Sequence, residues 1–260
     1  MTASLRTPGH PAPGRPATGG PAPGRPETAA PVGPARGRGT GSTPPVPAST
    51  LLMVLADSRL PIGAHVSSNA LEAALLDGLA PGSVGDYLAS RMDTVTRVEA
   101  GAAILARRLT ERAEPLAPLR AEWAARTPSR AQRRIAVALG DGLRRLAQVL
   151  WPDALAGQED LPRPLVLGAV AAATDLGPHD LARLVAYDDA QTVVAASLKL
   201  EPGDPRQGAA LVLEACARFE PHVDALAALQ DPTRLPAVGA PQIEGWSEDQ
   251  SVLPRRLFRA

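Results

Sequence analysis

Cysteine occurs once in this chain, at Cys216, so no intramolecular disulfide can staple the fold, and a lone thiol fits a reducing cytoplasm. Aromatic residues make up only 3% of the 260 residues, so a core must be built from Ala, Leu and Val. Long apolar runs are missing too: the longest, LVLGAVAAA at 165–173, is half of the ~18 residues that a membrane span needs. The first 50 residues hold no apolar stretch of the kind a signal peptide requires, so none is expected. Charge of one sign is not in excess, with 27 basic and 27 acidic residues, which argues against a nucleic-acid footprint.

Catalytic motifs are absent as well. There is no G-x-x-x-x-G-K-[ST] to cradle phosphates and no G-x-S-x-G to present a nucleophile. His10, His65, His179 and His222 are dispersed, and Cys216 with His222, six apart across Pro221, is a weak pairing for a metal. The acidic neighbours Asp188-Asp189 and Glu248-Asp249 point to different sides of a helix, so solvated surface is the expectation for both pairs. These absences imply a chain that is not an enzyme and carries no cofactor or metal of its own.

Proline and glycine are abundant but uneven. Residues 1–50 hold 12 of the 28 Pro and nine of the 23 Gly, PAPGRP occurs twice, and five Arg face a single acid, Glu27. Such a segment cannot bury enough apolar surface to offset its ordering entropy, so it reads as a disordered tail. Residues 51–260 then form one domain, long enough for a sizeable core.

Over that domain, helix follows helix. Val84, Leu88, Met92, Val95, Val98 and Ala102 recur at steps of three and four, predicting one long amphipathic helix to about residue 109. Further helices are predicted at 116–126, at 128–150 behind a Thr127-Pro128 cap, at 164–175, at 180–200, at 205–219, and from Pro221 to about residue 230. The stretch 164–175 is apolar nearly all round, as a helix buried among others would be. With short loops between antiparallel neighbours, the fold class is an all-α bundle of seven or eight helices.

Residues 55–75, LADSRLPIGAHVSSNALEAAL, carry the most specific signal. Pro61 disfavours helix at Leu60, and Gly63 gives the backbone freedom to turn, so the chain bends here. Ser67, Ser68 or Asn69 can cap the next helix, with Glu72 favourably placed in its first turn.

This segment resembles the opening signature of the UreF family of urease accessory proteins, which reads LAD-x-R-x-P-x-G and then H-S-x-G-L-E. Asp57, Arg59, Pro61, Gly63, Leu71 and Glu72 fit that frame, while Ser67 and Ala70 replace its His and Gly. Later stretches follow the family in order. Gly140, Leu143, Arg145, Leu146, Trp151 and Pro152 track its Q-G-R, R-L and W-P line, with Leu139 and Asp141 replacing Gln and Arg. The stretch from Leu165 to Gly168 is similar to H-P-V-V-x-G without the His. Ala196, Lys199, Leu200 and Pro202 match A-x-K-L-x-P, and RRLFRA resembles the closing R-L-F-R-S.

The resemblance implies an all-helical, dimerising, non-catalytic adaptor. It would bind UreD (UreH in some organisms) and recruit the GTPase UreG, so that nickel reaches apo-urease. Within that scheme Arg59, Pro61, Gly63 and Glu72 would shape a partner-facing elbow. Lys199, the only lysine beside 26 arginines, would add charge near the GTPase surface, or else stabilise the end of its own helix. Arg256, Leu257, Phe258 and Arg259 would form a tail that orders on complex formation, with an exposed Leu-Phe pair as its anchor. A helical scaffold, a ligand-sensing domain, or a relative without a role in urease maturation is the other reading the substitutions leave open.

Overall fold

Proline and glycine punctuate the chain, and helices fill the intervals. The computed structural model describes residues 46–62, 66–155 and 157–258. Gly63, Arg259 and most of the tail expected over 1–50 lie outside the described residues, although helix already begins at Ala48.

Eleven α-helices occur among the described residues, and no strand: α1 (Ala48–Leu55), α2 (Leu71–Leu76), α3 (Val84–Asp93), α4 (Val95–Glu111), α5 (Ala117–Ala125), α6 (Arg130–Leu150), α7 (Arg163–Ala173), α8 (Pro178–Leu200), α9 (Pro205–Phe219), α10 (Val223–Ala227) and α11 (Pro241–Val252). Helices α5, α7, α8, α9 and α11 all start with proline in the first two positions, where its missing N–H costs no hydrogen bond. None of the helices is long and apolar enough to cross a membrane.

The all-α class is as the sequence implies; the helix count is higher, and two of the additional helices have an identifiable cause. The long helix expected from Val84 breaks at Thr94, whose φ of −127° and ψ of −93° leave the helical basin. Its hydroxyl donates to the Ser90 carbonyl at 2.6 Å, a local bond that competes with the helical ladder. The second addition is α11, whose polar sequence gives no strong periodic signal. At α6 the cap is Ser129, which accepts from the Gln132 N–H at 3.2 Å, rather than Thr127.

Helices α4 and α7 form the centre of the bundle and pack most extensively on each other. In α7 every residue from Pro164 to Ala171 is buried, and in α4 burial runs nearly all round from Ala100 to Arg107. Helix α8 covers α4, and α9 and α10 pack on α8. Close approach is made by glycine. A Cβ on Gly142 of α6 would overlap the Ile62 carbonyl, so this glycine is what lets the end of the 57–62 elbow lie on α6.

The turn into α2 is strained. Asn69 and Ala70 both adopt left-handed backbone, with φ of 51° and 68°, and Ala70 is buried. Asn tolerates this region; alanine costs about 1–2 kcal/mol there. The N-cap position itself falls to Ala70, which has no side chain to cap with, while Ser68, one of the caps expected from the sequence, accepts the Glu72 N–H of the first turn at 3.5 Å. Changing Ala70 to glycine would relieve the strain but lose a buried methyl group and raise unfolded-chain entropy, terms of about 0.8 and 0.4–1 kcal/mol. The expected result is a shift of less than ~1 kcal/mol for A70G, and a loss of several for A70V, whose branched Cβ resists positive φ. Urea unfolding of both variants measures this, and a stable A70V would contradict the geometry.

Candidate functional site

Glu72, in the first turn of α2, is 6% exposed, and its carboxylate does not serve its own helix N-terminus. Instead it accepts the backbone N–H groups of Leu257 at 2.6 Å and Phe258 at 3.1 Å, and the Gln250 side-chain amide at 2.8 Å. Gln250, on α11 and fully buried, completes the clamp by donating to the Phe258 carbonyl at 3.1 Å and accepting from the Ala73 N–H at 3.0 Å. Arg256 donates to the carbonyl oxygens of Gln250 at 3.0 Å and Ser251 at 3.3 Å, which folds the tail back over the end of α11. Lys199, in the last turn of α8, places its ammonium 5.4 Å from the centre of the Phe258 ring.

Five residues expected from the sequence thus meet at one place: Glu72, Lys199, Arg256, Leu257 and Phe258. The expected exposed Leu-Phe pair holds for Leu257, 63% exposed, and fails for Phe258, 2% exposed. The reason is period: successive residues of an extended segment point opposite ways, so a clamp that faces Phe258 inward turns Leu257 outward. In the single chain, residues 256–258 already fold back on α2 and α11.

Arg59 and Pro61 are not part of this cluster. Both are exposed, and Arg59 is held locally: its backbone N–H and guanidinium bind the Asp57 carboxylate at 2.7–3.1 Å. Hydrogen bonds from Arg59 hold the Asp57 carboxyl down at about 2, below the ordinary 3.8. The pair borders an open groove between α1 and α8, where Met53 and Tyr187 are exposed hydrophobic side chains.

Sequence reasoning missed Gln250, because one glutamine in a polar helix carries no motif. It also misjudged three of the four paired acids, while Asp249 is exposed as expected. Asp189 is enclosed by Arg91, which donates at 2.6–3.2 Å, by Thr96 at 2.5 Å and by Asn69 at 2.6 Å. Asp188 pairs with Arg163 at 3.0 Å. Glu248 accepts from Ser129 at 2.7 Å and from the Ala131 N–H at 2.9 Å, so it caps α6. None of these three is merely solvated; each meets a partner from a distant element, which sequence spacing cannot disclose.

The chain as a whole resembles known proteins. The UreF family model matches residues 80–216. A urease accessory protein UreF of Mycobacterium sp. (strain JLS) is 39% identical over 166 residues, covering 60% of this chain and 75% of the relative. Its namesakes in Mycobacterium bovis (strain BCG / Pasteur 1173P2) and Mycobacterium marinum are 37% and 36% identical over 192 and 172 residues, covering 70% and 63% of this chain and 89% and 78% of the relatives. On these grounds the chain belongs to the UreF family of urease accessory proteins.

Proposed function

We propose that this protein is a non-catalytic adaptor of urease maturation, acting in the cytoplasm as a homodimer within a larger assembly. It binds a UreD/UreH-type partner, recruits the GTPase UreG, and so enables nickel insertion into apo-urease. The observation that carries the reading is the clamped tail: Leu257 is held outward beside Arg256 on a backbone fixed by Glu72 and Gln250. A rigid exposed leucine flanked by a forked cation suits docking, because little ordering entropy is lost when a partner covers it. Lys199, exposed and 5.4 Å from the Phe258 ring centre, adds a cation beside the clamp.

Replacing Leu257 by Asp leaves the Glu72 clamp intact, since the clamp uses backbone N–H groups. The expected result is recovery of UreD and UreG reduced at least tenfold in co-purification, at unchanged melting temperature; burial of one leucine contributes about 1.5–3 kcal/mol, and each ~1.4 is tenfold. Full recovery by L257D would remove the tail from the docking face. The purified chain is further expected neither to hydrolyse GTP nor to retain stoichiometric nickel, and either activity would overturn the adaptor reading.

A further inference from the structure

Behind the strained Asn69-Ala70 turn lies a partly open cavity of about 120 Å³, walled by α3 to α8 and α11. Its charges are nearly, but not fully, balanced. Asp189 receives Arg91, Thr96 and Asn69 on its two oxygens, and Asp188 receives Arg163. Those four charged groups cancel. Glu99 of α4 is left over: one carboxylate oxygen accepts the Trp123 indole N–H at 2.7 Å, and no second donor among the described residues reaches it. Glu99 is partly buried in the cavity wall, and a carboxylate that gives up much of its water for one neutral donor is costly when charged. Burial accordingly pushes the Glu99 carboxyl up to about 7; Asp189 raises it too, while the Trp123 N–H, Arg163 and Arg91 pull the other way.

We propose that this cavity binds a small organic monocation of the alkylammonium or guanidinium class, with the Glu99 carboxylate as its counter-ion and Trp123 as its flanking wall. The volume is several times the ~10–15 Å³ that a single water needs, which leaves room for such an ion. The lining supplies both needs of an organic cation. Glu99 offers the unmatched charge, while Val95, Leu139 and Leu167 offer apolar surface to its carbon atoms. An anion would meet a net negative wall. A divalent metal would lack ligands, because among the described residues no three His, Cys, Asp or Glu side chains gather to hold one. This site is separate from the tail clamp except at Gln250, which borders both, and it does not depend on the adaptor reading.

The test uses the full-length protein, titrated by isothermal calorimetry with methylammonium and millimolar guanidinium at pH 8.5 and pH 6, with potassium, nickel and phosphate as competitors. Saturable binding of an organic monocation is expected at pH 8.5, weakened at least tenfold at pH 6, where Glu99 is protonated. Glu99→Gln should abolish it. That variant is expected to fold at least as well as wild type above pH 7. A carboxyl raised above its unfolded value of 4.5 holds a proton that the unfolded chain releases, so wild-type stability falls as pH rises from 4.5 through about 7, and Gln lacks this loss. Trp123→Phe keeps an aromatic wall without the competing donor, and should retain binding. Absence of saturable binding by any monocation, equal binding by Glu99→Gln, or tighter Glu99-dependent retention of nickel would each overturn the proposal.

Discussion

Placing a single methyl group on Gly168 is expected to lower the stability of the whole bundle by about 3 kcal/mol, roughly a 10 °C fall in Tm for a domain of this size. A Cβ there would overlap the Ala103 carbonyl oxygen, and would sit 2.7 Å from the Ala106 Cβ and 2.8 Å from the Arg107 N. Two of those three atoms are backbone, so no rotamer change can clear the space; α4 and α7 must move apart. Alanine's better helix propensity returns only about 1 kcal/mol. It is outweighed because both helices are buried on nearly every side and have no free direction in which to move. Gly245→Ala is the matched control. It lies mid-helix in α11 with no atom within 4 Å of the added Cβ, so it should be neutral or slightly stabilising. Urea unfolding of the two variants, followed by circular dichroism, separates propensity from packing; a G168A protein within 1 kcal/mol of wild type would show that the helices are less closely fixed than described.

That glycine also marks how far the sequence could be read. The apolar run around it declares α7 a buried helix by composition alone, and the Pro starts of α8 and α9 place those boundaries within two residues. Which neighbour Gly168 faces is not written locally, since the answer, Ala103, lies 65 positions away. The same limit governs the site. Glu72 and Lys199 were visible as residues, one by motif and one by rarity, yet what joins them is the Phe258 segment and Gln250, both far along the chain from Glu72. Asp189 illustrates the cost of arguing from nearest neighbours. On its own helix it looks like one of two surface acids, and only the packing of α3 on α8 supplies the Arg91 that encloses it.

Deleting residues 255–260 is expected to destabilise the protein by about 1–2 kcal/mol, although a core that ended at Pro254 would not notice the loss. Two terms drive this. Removing the buried Phe258 ring withdraws apolar packing of about 1.5–3 kcal/mol. The deletion also takes away two of the three N–H donors on Glu72, leaving a buried carboxylate under-satisfied, a penalty of about 1–3 kcal/mol or more for a charged group. Freed chain entropy opposes these, about 1–2 kcal/mol for each backbone residue that the clamp had fixed. Because the second term is a charge left behind, neutralising it should restore part of the stability. Glu72→Gln is therefore expected to destabilise the full-length chain, where it turns a two-oxygen acceptor into an amide with one, and to stabilise the truncated chain. The two changes should be non-additive by about 1 kcal/mol or more in a double-mutant cycle read by urea unfolding. Additive effects, or a truncated chain with the wild-type unfolding midpoint, would mean that the tail merely rests on α2, and that Glu72 does not hold the segment in the position from which Leu257 faces outward.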